Sequence, residues 1–298
     1  MTAQPLPDAF DYVGDVYRPP VEADSIIIQG TIGCSHNKCT FCGAYLRKKF
    51  ALKDLRILEN DLRFAGQYCK RQDRVFVLDG NALAMPVQRW VWLLENIRDR
   101  LPWVEGTAAF ATGMDIAAKS DEDLRRLRSL GLDKLYVGVE SGHPKVLESV
   151  RKGIGPEGLL THCRRAQDAG FSLSISVVLG VADESLWQES ARLTGQLLTA
   201  IDPAEIGITM LVPQPGTIFR KEIKQGAAPA PGQGRLLREL RELYTHTDLN
   251  GGLFNASHSS SYVSFKARLP RDKDRGLEYL DQAIAGRVPL KADRLRRI

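Results

Sequence analysis

The stretch Ser25-Ile26-Ile27-Ile28-Gln29-Gly30-Thr31-Ile32-Gly33-Cys34-Ser35-His36-Asn37-Lys38-Cys39-Thr40-Phe41-Cys42 governs how this chain reads, because an apolar β-branched run passes directly into a loop with three cysteines. Residues 25–29 have the length and residue types of a buried strand, and Gly30 closes it. Three thiolates so close together suit a metal centre. A cubane iron–sulfur cluster needs one ligand per iron, so three cysteines hold three irons and leave the fourth open to a small molecule. An open metal position beside a cavity points to chemistry rather than scaffolding. The alternative is zinc completed by His36, since three cysteines and a histidine are a common structural zinc set. Closed zinc sites usually staple two separated ligand pairs, and the sequence has no second pair. The spacing therefore favours iron–sulfur and leaves zinc open. Cys69 and Cys163 stand apart, each within a helical pattern, and read as small buried apolar residues.

Beyond the loop, helical and strand periodicities alternate. Residues 51–70 place Leu55, Leu58, Leu62 and Phe64 on one helical stripe; residues 74–78 form a strand that stops at Asp79-Gly80-Asn81; Pro86 opens a helix through residue 100. A strand over 107–111 leads to a helix over 120–130, headed by Ser120 with Asp123 three positions on and stopped by Gly131. The strand over 135–139 ends at Glu140-Ser141-Gly142 and is followed by helices over 144–150 and 156–169. A strand over 171–179, a helix over 186–198 and a strand over 205–211 complete the pattern, which ends at Val212-Pro213-Gln214-Pro215-Gly216. Six strands alternating with helices require a parallel sheet, as an incomplete barrel or a doubly wound sheet. Both architectures gather reactive groups at the C-terminal ends of strands. The cysteines, Asp79-Gly80-Asn81, Thr112, Glu140, Gly180 and residues 213–217 all fall there.

Residues 225–234 are small, uncharged and rich in glycine and proline, and read as a linker or mobile loop. An amphipathic helix over 235–244, a polar segment over 250–261, a strand over 262–267 and a helix over 271–285 follow. The chain divides into an N-terminal extension (1–24), a core (25–217) and a C-terminal appendage (218–298) expected to close the open side of a barrel on the substrate side. Asn255, Ser257, His258, Ser259, Ser260, Tyr262, Lys266 and Arg268 concentrate polar and cationic donors there, as a pocket for a polar or anionic molecule would. His258 and Tyr262 are candidates for proton or hydrogen transfer; a hydrated loop is the alternative.

With 298 residues, 43% hydrophobic and 26% charged, the composition is that of a globular protein with one large core. A net charge of +5 is too mild to indicate nucleic-acid binding. Lys48 and Lys49 stand beside the cysteine loop, where an anionic cofactor or substrate would approach, with a solvated face as the favoured reading, and Arg294, Arg296 and Arg297 read as a solvated tail. Residues 1–14 lack a secretory signal, and nothing approaches the roughly 20 apolar residues that span a bilayer. Clustered reduced cysteines without an export signal imply a cytoplasmic location and no membrane partner.

A three-cysteine loop after the first strand of a six-fold βα chain resembles the radical S-adenosylmethionine (SAM) superfamily, over about residues 25–217. The resemblance implies a partial (β/α)6 barrel of parallel strands with a C-terminal α/β appendage, and two cofactors, a [4Fe–4S] cluster and SAM. In that family the open iron is chelated by the amino and carboxylate groups of SAM, and an electron from the reduced cluster yields a 5′-deoxyadenosyl radical that removes hydrogen from substrate. Cys34, Cys39 and Cys42 would then be the cluster ligands, and Phe41 would lie beside the adenine. Asp79-Gly80-Asn81 takes the place of the family's glycine-rich turn: glycine lets the backbone come close, and Asp79 or Asn81 accepts from the cofactor ammonium. Tyr136-Val137-Gly138-Val139-Glu140-Ser141-Gly142 resembles the fourth-strand segment, with Glu140 and Ser141 near the ribose, and Gly180 would give an adenine-side backbone contact. Four residues separate Cys34 from Cys39 where most members have three, a variation that a cubane tolerates.

Absences narrow the reaction. No cysteine follows Cys163, which disfavours auxiliary clusters and methyl transfer through a late thiol, and the first 24 residues leave no room for a cobalamin domain. Two enzymatic readings remain, hydrogen abstraction from a polar or anionic substrate of small or medium size and methyl transfer using a second SAM. Either needs a reductant such as flavodoxin or ferredoxin. A reading of another class is a zinc-stabilised binding module, for example for RNA, built on Cys34, Cys39, Cys42 and His36.

Overall fold

The computed structural model describes residues 9–227 and 230–297. Its strands are β1 (Ile26–Gln29), β2 (Thr31–Ile32), β3 (Ala51–Leu52), β4 (Arg74–Leu78), β5 (Gly106–Ala111), β6 (Leu132–Glu140), β7 (Ser172–Leu179), β8 (Glu205–Met210), β9 (Leu253–Asn255) and β10 (Lys266–Arg268). The helices are α1 (Leu55–Tyr68), α2 (Val87–Arg100), α3 (Gly113–Ala117), α4 (Asp121–Ser129), α5 (Pro144–Ser149), α6 (Pro156–Asp168), α7 (Trp187–Ile201), α8 (Ile218–Lys224), α9 (Gln233–Thr245) and α10 (Lys273–Ile284). The main sheet has eight strands in the order β1-β4-β5-β6-β7-β8-β9-β10. Its first six strands run in chain order without the reversal that defines a doubly wound sheet. The fold is therefore α/β of the partial-barrel kind, mostly parallel, with one antiparallel pair at its end.

The chain forms two compact units. The first comprises residues up to Asn37, 44–136 and 165–172. Here β1 pairs with β4 (Ile27 opposite Phe76) and β4 with β5 (Phe76 opposite Ala108), so alternate side chains build one apolar cluster of Ile27, Phe76, Leu78, Ala108 and Tyr136. The rings of Phe76 and Phe110 meet edge to face at 5.0 Å. Residues of the N-terminal extension lie along this strand set: Tyr12 donates its hydroxyl to Ile27 O (2.9 Å), and the Val13 N–H donates to Gln29 Oε1 (2.8 Å). Residues 1–8 of that extension lie outside the described residues.

The second unit comprises residues 38–43, 137–164 and 173 onward. Leu179 of β7 stands opposite Met210 of β8, Ile206 of β8 opposite Phe254 of β9, and Phe254 opposite Ala267 of β10. Helix α9 packs on α7 and α10. Tyr244 and Phe254 meet edge to face at 4.8 Å, and Gly276 gives Tyr244 its room, since a Cβ there would lie 2.2 Å from the tyrosine oxygen.

Several elements differ from the sequence expectation. Residues 51–52 form strand β3, paired with β2, and the helix begins only at Leu55 because the Asp54 side chain accepts from the Arg56 N–H as its cap. Two unforeseen short helices have caps of their own: α3 carries a capping box between Thr112 and Asp115, and α8 starts at the Thr217 hydroxyl. The strand expected over 262–267 is reduced to Lys266–Arg268, and its partner β9 lies inside the stretch read as a polar loop. The reason is burial of Phe254 and Ala267 on one sheet position, while Tyr262 gives its carbonyl to the Lys291 N–H instead of to a ladder. Of the expected linker over 225–234, Ala228 and Pro229 lie outside the described residues, and α9 begins at Gln233. No helix among the described residues is long and apolar enough to cross a membrane.

Candidate active site

In the first unit the start of the cysteine loop is built around Asp79. This side chain is fully buried, and its Oδ2 accepts from the Gly33 N–H (3.0 Å), Gln29 Nε2 (3.1 Å) and Lys48 Nζ (2.7 Å). The Lys48 ammonium is thus committed to a carboxylate rather than presented to an anionic ligand, while Lys49 is exposed. Asp79 Oδ1 has no hydrogen-bond partner among the described residues, an unsatisfied acceptor suited to a donor from outside the chain. A Cβ on Gly80 would lie 2.5 Å from Cys34 Cβ and 2.7 Å from Gly33 O, so only glycine admits this approach to the cysteine. Asn81 grips the loop from below: its Oδ1 accepts from the Ser35 N–H (2.9 Å), and its Nδ2 donates to Ser35 Oγ (2.7 Å) and to the Asp115 carboxylate (3.0 Å). Burial raises the Asp115 pKa against the hydrogen bonds from Thr112 and Asn81. The Asn37 N–H points to Cys34 Sγ at 3.5 Å, a donor that favours a thiolate.

The second unit holds the rest of the loop. The Cys42 N–H donates to Cys39 O (3.2 Å), and Thr40 is fixed by its N–H to Val150 O and by its carbonyl to the Phe219 N–H, both at 3.1 Å. Phe41 packs half-buried on Val146, Val150, Val181, Ala182 and Leu211. Glu140 leaves β6 with a left-handed φ of 67°, an uncommon conformation for a residue with a side chain, and its Oε1 accepts from Lys152 Nζ at 2.8 Å. The Ser141 hydroxyl meets Ser190 Oγ at 2.9 Å and accepts from the His143 N–H at 3.0 Å, so its interactions run inward. Gly180 has φ 91°, and its N–H donates to Glu239 Oε1 at 3.0 Å. A side chain at Gly180 would meet Leu236 at 2.8 Å and Pro231 at 2.9 Å. Burial pushes the Glu239 carboxyl up to about 7, opposed by the Gly180 N–H and by the Arg235 guanidinium 3.7 Å away.

His258 and Tyr262 lie with the end of β8. His258 Nδ1 accepts from the Ser260 N–H (3.1 Å) and meets Ser260 Oγ (2.8 Å), and Ser260 Oγ accepts from the Met210 N–H (3.0 Å). Burial lowers the His258 pKa, helped by Lys291. The Tyr262 hydroxyl donates to Asp293 and accepts from Arg296 Nη1 (2.8 Å); burial and the Asp293 bond push its pKa up to about 12. Arg296 corrects the solvated-tail expectation, because it is 8% exposed and donates to the Leu211 and Ser260 carbonyls. Arg296, Lys152, Glu239 and the Lys48–Asp79 pair were not singled out as site features by sequence. Each has a partner remote in the chain, and the Asp293/Arg296 spacing of three and the Arg235/Glu239 spacing of four give the local signals.

In the first unit, Cys34 outside any disulfide, the glycine cradle beside it and a buried carboxylate oxygen without a partner among the described residues fit a thiolate-bound cluster with an amine-bearing ligand. The family model for the radical SAM superfamily matches residues 28–193, more than half of the chain. This chain belongs to the radical SAM superfamily. As a radical SAM enzyme it uses a [4Fe–4S] cluster and SAM, which sets aside the zinc-stabilised binding module. A biotin synthase from Parafrankia sp. is 25% identical over 222 residues, 74% of this chain and 58% of the relative. Across the curated relatives it matches, the chain spans from a fifth to three fifths of their length. The fold is shared with methylornithine synthase (TM-score 0.53, 17% identity, 89% of this chain and 82% of that one). It is also shared with the coproporphyrinogen III oxidase HemN from Escherichia coli (TM-score 0.56, 17% identity, 74% and 51%).

Proposed function

We propose that this radical SAM enzyme abstracts hydrogen from a polar or anionic substrate of small or medium size, with Cys34, Cys39 and Cys42 holding the cluster. The observation that carries this reading is the close approach of Gly80 to Cys34, under an Asp79 carboxylate with one oxygen left to accept. When bound, the cluster supplies an electron and SAM the 5′-deoxyadenosyl radical. The protein's own work is placement. The Asn37 N–H supports the Cys34 sulfur, Asp79 Oδ1 accepts from the cofactor ammonium, and Asn81 keeps the loop in place through Ser35. Glu140 serves the ribose, with Ser141 bracing its turn through Ser190. Phe41 and the Gly180 turn, fixed by Glu239, border the adenine.

On the substrate side, the Ser260 N–H donates to His258 Nδ1, which places the proton of a neutral ring on Nε2. That N–H is a donor for a polar or anionic substrate, and the lowered pKa keeps the ring neutral. Tyr262, held protonated by burial and by its bond to Asp293, orders the same segment with Arg296. We place the enzyme in the cytoplasm, served by a flavodoxin- or ferredoxin-type reductant.

Anaerobic reconstitution tests the reading: about four irons per chain and 5′-deoxyadenosine after reduction are expected, and Cys39→Ala should remove both. His258→Ala should leave uncoupled SAM cleavage intact while lowering substrate turnover; equal loss of both would argue against its substrate role. Accumulation of S-adenosylhomocysteine with a methylated product would replace hydrogen abstraction with methyl transfer.

A further inference from the structure

Lys152 is a buried cation with no part in the placement described above. The turn after α5 is tied to the cysteine loop by the Thr40 N–H to Val150 O bond at 3.1 Å. Arg151 then takes a left-handed φ of 57° and the Lys152 N–H donates to Leu147 O at 2.9 Å, which turns the Lys152 side chain inward to 6% exposure. Its ammonium donates to Glu140 Oε1 at 2.8 Å. The backbone makes room for this pair: a Cβ on Gly138 would lie 2.3 Å from Glu140 Oε1 and 2.9 Å from Lys152 Nζ. Burial works to lower the Lys152 pKa and the Glu140 carboxylate raises it, so the ammonium stays charged two residues from Val150, whose carbonyl holds the Thr40 N–H between Cys39 and Cys42. A charge taken out of water interacts strongly with whatever charge develops beside it.

We propose that Lys152 is a positioning charge for the cluster, stabilising its one-electron-reduced, more negative state and so raising its midpoint potential toward that of a biological one-electron donor. Net charge near the sulfurs is a principal determinant of such potentials. Glu140 opposes this effect in proportion to its own charge, so the two partners act with opposite sign. The inference rests on the reading that Cys39 and Cys42 hold the cluster.

An EPR-monitored redox titration of the reconstituted holoenzyme tests it. Lys152→Met should lower the midpoint so that at least tenfold less cluster is reduced at a fixed solution potential, which is about 59 mV for one electron. Glu140→Gln should raise it, and Lys152→Arg should restore the wild-type value. A merely structural pair would not give shifts of opposite sign. Unchanged potentials, or shifts in the same direction, with iron content intact would overturn the inference alone. If Lys152→Met fails to retain iron, Glu140→Gln decides: a rise supports the proposal and an unchanged or lower value refutes it. A wild-type chain that takes up no iron overturns the cluster-ligand reading as well.

Discussion

A methyl group at position 80 would stand 2.5 Å from Cys34 Cβ and 2.7 Å from Cys34 Cα, closer than carbon atoms tolerate, and both neighbours are fixed by backbone. Gly80→Ala should therefore displace the cysteine loop, costing about 1–3 kcal/mol of stability and most of the iron. Urea unfolding and the iron-to-protein ratio measure the two effects; full iron occupancy would show that the cradle is dispensable. That Gly80 admits a close backbone approach is legible in Asp79-Gly80-Asn81, which interrupts an apolar run. What approaches is not. Asp79 meets Lys48 from 31 positions away and Asn81 meets Ser35 from 46, and neither pairing has a periodicity by which a sequence could announce it.

Between β7 and α9, one carboxylate links a strand end to a helix. Glu239 accepts from the Gly180 N–H, and burial pushes its carboxyl up from the ordinary 4.5 to about 7. Since the folded state holds this proton more tightly than the unfolded chain, the associated stability is fully present below pH 4.5 and is lost as pH rises through about 7. Ionisation in place opposes folding by about 3 kcal/mol. Glu239→Gln should flatten the dependence of the melting temperature on pH between 5 and 8, relative to wild type; parallel curves would show that Arg235 already holds the group ionised. At this scale the six βα units were readable, because strand and helix periodicities differ and Ser120, Asp123 and Pro86 mark helix starts. Strands β9 and β10, three residues each, were not, since so short a segment carries no period and is fixed by its neighbour in the sheet.

Over the whole chain, the second unit is closed by its last residues: Arg296 donates to the carbonyls of Ser260 (2.6 Å) and Leu211 (2.9 Å) and to the Tyr262 hydroxyl (2.8 Å), and lies 4.1 Å from the Tyr262 ring centre. Arg296→Ala leaves these buried acceptors without a donor and should cost about 2–4 kcal/mol, read as a lower urea midpoint, with Arg296→Lys rescuing little because an ammonium cannot reproduce the planar fork. A midpoint unchanged by either variant would mean that the tail carries no stability. The sequence by itself determined the order of βα units, hence a parallel sheet whose strand ends carry the chemistry, and the cysteine spacing that suits a cluster, because periodicity and ligand spacing are local properties. Only the tertiary structure decided that the strands follow chain order without reversal, that Lys48 pairs with Asp79, that Arg296 is buried rather than solvated, and that Lys152 is buried against Glu140. Those outcomes depend on which distant groups must satisfy one another once water is excluded, and desolvation acts only on the assembled fold.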